Sequence, residues 1–115
     1  MNASEKLAKT VQQCGEFAKA VPGNMQEYYG FIRTGFENAA PLDAKTLQLI
    51  ILAVGVAAGN EPAIYQHVNM YIDAGGSREA LVAGLNAVVM GGGGLAWGYA
   101  GVALEAFDEL AAAKK

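Results

Sequence analysis

The chain has 115 residues, the length of one ordinary domain, and we predict a single domain over residues 1–115. Apolar residues make up 53% of it and charged residues only 17%, with a net charge of −3 and no basic stripe, so nucleic-acid binding is not expected. The low charge predicts apolar surface that is buried between subunits or within a fully buried helix. The single cysteine, Cys14, excludes an internal disulfide and is typical of a reducing compartment such as the cytoplasm.

Helical spacing of apolar side chains runs through every long segment, and none alternates with a period of two. The chain is therefore predicted to be all-α, with about six helices. The first is predicted to end at Pro22-Gly23-Asn24, and its apolar stripe holds Leu7, Val11, Cys14, Phe17, Ala18 and Val21. The second is predicted to end near residues 38–41, and its stripe holds Met25, Tyr28, Tyr29, Ile32 and Phe36.

The third helix is predicted from Ala44 to about Ala58, with Asp43 as its N-cap and Gly59 as its stop. It is apolar on nearly every side, which favours a central position in the fold. Its apolar run is shorter than the roughly 20 residues that a bilayer requires, so no membrane contact is expected.

Three more helices complete the predicted fold. Asn60 is the predicted N-cap of the fourth, which ends at Ala74-Gly75-Gly76, and Ser77 caps the fifth. Glycines 91–94 then separate the fifth helix from the last. Their predicted role is close approach of another helix, and Gly98 and Gly101 continue the small side of the last helix. A phosphate-binding loop is the alternative, although no strand precedes the run and no Lys-Ser/Thr follows it.

His67, the only histidine, lies on the apolar stripe of the fourth helix, two turns after Asn60 and on nearly the same face. A histidine in that position is usually a core or interface residue. Histidine is also the side chain whose unperturbed pKa lies near neutrality, so His67 is the natural acid or base of any pocket there.

Gln48 is the one polar residue inside the apolar third helix, and a buried amide requires a hydrogen-bond partner. That partner is either a backbone carbonyl or a neighbouring chain, or else His67 or a ligand. Glu61 lies in the first turn of its helix, where the helix dipole favours it by about 0.3–1 kcal/mol, and a catalytic role is the alternative. Tyr65 is close enough to His67 in sequence to line the same cavity.

Cys14 lies on the predicted packed stripe of the first helix, which favours a buried, inert thiol over a reactive one. No second cysteine or histidine is present to build a zinc site, so no metal or other cofactor is expected.

From about Pro41 to Leu110 the chain resembles the carboxymuconolactone decarboxylase-like family, which includes the alkylhydroperoxidase D proteins. The resemblance rests on the order and spacing of Leu42-Asp43-Ala44-Lys45-Thr46, the apolar run 49–58, Glu61-Pro62, His67-Val68, the segment 74–80, Met90-Gly91-Gly92-Gly93 and the segment 103–109. It implies an all-α fold whose protomers assemble as dimers, trimers or hexamers.

In the peroxidase branch, the resemblance implies a Cys-x-x-Cys pair at the start of the fourth helix, a histidine four residues later and a glutamate on the preceding helix. The cysteine positions correspond here to Asn60 and Ala63, the glutamate position corresponds to Gln48, and only His67 is retained. Because that chemistry depends on thiolates and a base, thiol peroxidase activity at this site is not expected.

The decarboxylase branch also lacks the cysteine pair and resembles this chain through Gly59-Asn60-Glu61-Pro62 followed by His67, whereas the glycine-rich segment 90–94 resembles the peroxidase branch. The first hypothesis is a cofactor-free lyase acting on a small organic acid or lactone. Its predicted catalytic residues are His67, Glu61 and Gln48, and its predicted pocket residues are Asn60, Ala63 and Tyr65. The alternatives are a non-catalytic oligomer that binds a small ligand or partner, and peroxide reduction through Cys14.

Overall fold

The computed structural model describes residues 1–115 and contains five α-helices and no strand. They are α1 (Ala3–Ala20), α2 (Asn24–Glu37), α3 (Ala44–Ala58), α4 (Glu61–Asp73) and α5 (Arg78–Ala113). The prediction of an all-α fold is confirmed.

The predicted N-caps are present at the starts of α3, α4 and α5. In each case the cap side chain accepts a hydrogen bond from the backbone N–H three residues later: Asp43 from Thr46 at 2.8 Å, Asn60 from Ala63 at 3.2 Å and Ser77 from Ala80 at 3.1 Å. These bonds satisfy N–H groups that a helix start leaves without a partner. Gly59 ends α3 with a φ of +66°, a left-handed conformation that glycine adopts readily.

The helix α5 reverses direction at Gly93, where φ is +72° and ψ is −149°. Arg78 and Asp108 are 30 positions apart, which corresponds to about 45 Å along a straight helix. Arg78 Nε nevertheless lies 2.8 Å from Asp108 Oδ1. The arms 78–92 and 94–113 therefore form a helical hairpin, and with them the fold has the six predicted helical segments.

The hydrophobic core forms where α3, α4 and both arms of α5 meet. Its fully buried aliphatic side chains are Leu52, Val56, Ile64, Val68 and Leu81. The predicted central helix, α3, packs against both α4 and α5. One of its faces lies outside this core, since Ile50 and Val54 are exposed.

The helix α1 packs through only part of its predicted stripe: Leu7 lies against the core, but the members further along the helix do not. Ala3 and Thr10 are buried, whereas Val11, Cys14 and Phe17 are exposed. The prediction of a buried Cys14 is therefore wrong for this chain. The physical reason is that α1 reaches α4 and α5 mainly with its N-terminal half, where Thr10 satisfies its own hydroxyl by donating to Lys6 O at 2.9 Å.

The helix α2 has no buried residue and packs extensively against no other helix of the chain. Its predicted apolar stripe is present but uncovered: Tyr28, Tyr29 and Phe31, which lies beside that stripe, are each more than half exposed. An amphipathic helix without a partner in its own chain leaves apolar surface that another molecule can cover.

Close approach occurs at one of the predicted glycines, since a Cβ added at Gly92 would lie 2.9 Å from Ala96 Cβ, and also at glycines outside the predicted set. A Cβ added at Gly94, Gly98 or Gly101 would meet no atom within 4 Å, so no helix of this chain packs tightly against these three glycines. Approach of a helix from another copy stays a prediction. A Cβ at Gly55 would lie 3.5 Å from Ala63 Cβ, and one at Gly76 would enter the Tyr71 ring.

By length and composition alone, α5 holds a stretch apolar enough to cross a membrane. The stretch belongs to a hairpin rather than to a straight rod, and Ala103, Ala106 and Phe107 of α5 lie in the hydrophobic core. The absence of membrane contact stays a prediction.

Candidate functional site

The helices α3 and α4 bring Gln48 and His67 into direct contact. The distance between Gln48 Oε1 and His67 Nδ1 is 2.9 Å. Gln48 is buried and His67 is half-buried. Of the partners considered for the buried amide, the structure therefore selects His67.

This hydrogen bond defines the chemistry of the imidazole. Because an amide oxygen only accepts, His67 Nδ1 carries the hydrogen and donates it to Gln48. The lone pair of the neutral ring then lies on Nε2, which is the atom able to take up a proton. Gln48 thus acts as a positioning residue that sets the tautomer and orientation of the ring.

Burial lowers the pKa of His67 below its ordinary value of 6.5. The cause is the loss of solvation of the charged form, since a partly buried imidazolium has less water around it. The amide of Gln48 carries no charge that could offset this cost. At neutral pH the ring is therefore uncharged and can act as a base.

Close packing of α3 on α4 supports the pair. Gly55 of α3 is buried, and an added Cβ there would already contact Ala63 Cβ at 3.5 Å and Ile64 at 3.8 Å. Ala63, a predicted pocket residue, is therefore committed to the helix contact. Asn60, another predicted pocket residue, is exposed and its side-chain oxygen caps α4.

Glu61 and Tyr65 form a separate cluster on another side of α4. The Tyr65 hydroxyl donates to Glu61 Oε1 at 2.7 Å. Tyr65 is buried and lines a cavity together with Lys6 and Glu105, and His67 is absent from that lining. Tyr65 and His67 therefore do not line this cavity together, and a pocket shared by the two side chains stays a prediction. Residues two positions apart on a helix are separated by about 200° around its axis, which explains the division.

Cys14 takes no part in the contact between Gln48 and His67. Its thiol is exposed, and the neighbouring polar group is the amide of Gln66, whose Nε2 lies 3.9 Å from Sγ. No group of three or more His, Cys, Asp or Glu side chains is placed to hold a metal ion.

Sequence reasoning missed Lys6, whose Nζ lies 5.4 Å from the centroid of the Tyr65 ring. Lys6 and Tyr65 are far apart in the chain, and no local pattern links them. The one available signal was that Lys6 is the lysine that lies between Ala3 and Thr10 on the side of α1 that faces the rest of the chain.

Comparison with known proteins adds an independent line of observation. The model of the carboxymuconolactone decarboxylase family matches residues 22–106. The fold is similar to the crystal structure of apo-lpg0406, a carboxymuconolactone decarboxylase family protein from Legionella pneumophila, with a TM-score of 0.86 and 30% sequence identity. That alignment covers 94% of this chain and 96% of the other. A search of curated proteins gives no match.

Proposed function

Because the chain belongs to the carboxymuconolactone decarboxylase family, we propose that it is a cofactor-free lyase that removes CO2 from a small organic acid or lactone. His67 is the acid–base residue of this proposal, and Gln48 positions it. The observation that carries it is the 2.9 Å contact between His67 Nδ1 and Gln48 Oε1, which leaves Nε2 available for proton transfer.

The residues at the start of α4 favour proton transfer over thiol chemistry. Asn60 and Ala63 occupy the positions at which the resemblance implies a cysteine pair, and neither side chain can attack a peroxide or carry an electron pair. The site can move protons through His67. A proton-transfer reaction therefore suits these residues, whereas two-cysteine redox chemistry does not.

Decarboxylation requires a proton donor at the carbon that loses CO2, and His67 can supply one. Breaking the bond to the carboxylate releases CO2 and leaves an electron pair on the substrate, and the carbon that holds this pair must then take a proton. Nε2 of His67 accepts a proton from water and delivers it to that carbon. Because burial lowers the pKa of His67, the protonated ring gives its proton up readily.

The test is CO2 release from a panel of small lactone carboxylates and 3-oxo acids, with the product formed in heavy water analysed for deuterium at the protonated carbon. Replacing His67 by Gln is expected to lower kcat by about 10²–10⁴, the usual contribution of general acid–base catalysis. Gln66→Ala, a neighbouring change on α4, is the matched control and should keep the turnover of the unmodified protein.

Full turnover by His67→Gln would remove the imidazole from the mechanism. Absence of CO2 release from the whole panel, together with saturable binding of one of these acids, would favour the alternative, a non-catalytic member that binds a small ligand.

We also propose that the protomers assemble into a homo-oligomer through α2. Tyr28, Tyr29 and Phe31 expose aromatic surface on a helix that its own chain leaves uncovered. Phe31→Ser is expected to lower the assembly mass in sedimentation velocity without unfolding the chain, because Phe31 is 72% exposed and supports no core. Gln26→Ser on the same helix is the control, and an unchanged mass in Phe31→Ser would contradict this interface.

A further inference from the structure

A cavity of about 400 Å³ lies between the start of α1, α4 and the second arm of α5, with His67 outside its lining. This volume falls within the range of about 300–1,000 Å³ that is common for small-molecule sites. The lining residues that matter for recognition are Lys6, Tyr65, Gly98, Gly101, Val102 and Glu105. Lys6 precedes residues 22–106, so the cavity is not contained in the segment that matches the family model.

The cavity presents one positive and one negative side chain that do not neutralise each other directly. Lys6 comes from α1 and Glu105 from α5, and neither takes part in any of the ion pairs of the structure. The Tyr65 hydroxyl raises the pKa of Lys6, with smaller contributions from Glu61 and Glu105, so the ammonium stays charged. The Tyr65 hydroxyl itself is held by Glu61.

Two glycines keep the wall of the cavity open. Gly98 and Gly101 are three positions apart on α5 and therefore lie on the same face of the helix. A Cβ at either position would meet no atom within 4 Å, so no packing contact within the chain requires glycine there. Glycine is less favourable than alanine inside a helix, and at these two positions the missing side chains leave the space of the cavity unfilled.

We propose that this cavity binds a small zwitterion with an apolar side chain, of the class of the free α-amino acids. The ligand carboxylate lies on Lys6 Nζ, its ammonium group on the Glu105 carboxylate, and its side chain against the Tyr65 ring and Val102. A simple carboxylic acid would contact only Lys6, and a simple amine only Glu105. A ligand with both charges satisfies both groups at once.

The experiment is a titration of the full chain followed by calorimetry and by backbone amide NMR shifts. The probes are leucine, valine and methionine, with 4-methylpentanoate and 3-methylbutylamine as analogues of leucine that lack one charge each. At least one amino acid is expected to bind saturably, and for leucine each analogue should bind about 10- to 100-fold more weakly because one charge-assisted contact is lost. The shifts should centre on residues 98–105.

Variants assign the contacts. Lys6→Met keeps the length of the side chain and is expected to weaken amino-acid binding about 10- to 100-fold, whereas Lys9→Met on the exposed side of α1 should leave it unchanged. Gly98→Leu should fill the cavity and abolish binding while helicity is retained. His67→Gln should bind as the unmodified chain does, so loss of the proposed decarboxylation and loss of this site are distinguishable.

The proposal is overturned if none of the three amino acids binds saturably, or if leucine and its two analogues bind equally well. It is also overturned if Lys6→Met and Lys9→Met have equal effects. A Gly98→Leu protein that changes its subunit number and still binds the amino acid would assign the glycines to contact with a second copy and would likewise contradict it.

Discussion

Gln48 and His67 form one hydrogen-bonded unit across the α3–α4 contact, with 2.9 Å between Oε1 and Nδ1. Both partners are uncharged at neutral pH, and burial is what lowers the pKa of the imidazole. The protonation of His67 therefore responds directly to the charge of residue 48 and to the solvation of the site.

Gln48→Glu is expected to raise the pKa of His67 above that in the unmodified protein, because a carboxylate at this distance stabilises the imidazolium. The measurement is a pH titration of the His67 ring resonances by NMR, which are unambiguous because the chain has one histidine. Gln26→Glu on the exposed α2 carries the same change of charge and should leave the pKa of His67 unchanged. An unchanged or lower pKa in Gln48→Glu would contradict the contact.

The stability of the fold should depend on His67 in acid. Its pKa in the folded chain is below 6.5, so the unfolded chain binds a proton first as the pH falls. The contribution of neutral His67 is therefore complete above pH 6.5 and decreases as the pH falls through 6.5 towards the lower folded value. Urea unfolding measures this effect. As the pH falls through this window, the free energy of unfolding of the unmodified chain should decrease relative to that of His67→Gln. A difference independent of pH would be inconsistent with a lowered pKa.

Gly76→Ala is expected to destabilise the fold by about 1–3 kcal/mol, the usual cost of overpacking. A Cβ at this position enters the ring of Tyr71, and that ring is buried with its hydroxyl donating to Ser77 O at 2.8 Å. The ring therefore has no free space into which it can move. Urea denaturation measures the effect.

Gly91→Ala is the matched control for Gly76→Ala. An added Cβ there meets no atom within 4 Å, and the residue is helical, so alanine should stabilise the fold by about 0.5–1 kcal/mol. Equal effects of the two substitutions would show that the close approach of Gly76 to Tyr71 is absent in solution.

The helical hairpin of α5 should be held by its core rather than by the ion pair that spans it. Arg78 and Asp108 are each about half exposed, at 54% and 50%, so Asp108→Ala is expected to cost at most about 1 kcal/mol, and less in high salt. Leu81 is fully buried, and Leu81→Ala should cost about 2–5 kcal/mol. Chemical denaturation at two salt concentrations compares the two losses of stability. A larger loss in Asp108→Ala than in Leu81→Ala would show that the ion pair, and not the core, holds the hairpin together.

Local signals in the chain were sufficient for the helix boundaries. Asp43, Asn60 and Ser77 act as caps within one turn of their own positions, so their effect can be derived without knowing the tertiary fold. The contact of Gln48 with His67 was also foreseen as one of several possibilities, because a buried amide must find a partner.

Signals between distant residues were misleading or absent. The apolar stripe through Leu7, Val11, Cys14 and Phe17 predicted a packed face, but of these four only Leu7 packs against the core, beside the buried Ala3 and Thr10. A stripe shows that a face is apolar and says nothing about whether this chain or another molecule covers it. The cavity with Lys6 and Glu105 depends on α1 meeting α5, which are separated by most of the chain.

The amino-acid sequence alone thus determined an all-α chain, its helix ends, its family and the presence of one titratable imidazole in a thiol-free helix start. Tertiary structure alone decided that α5 turns back at Gly93, that His67 and Tyr65 face different sides of α4, and that Lys6 lies over the Tyr65 ring. The division has a physical reason. Caps and breakers act through hydrogen bonds within a few residues, whereas the meeting of two faces depends on the angle and depth at which whole helices pack.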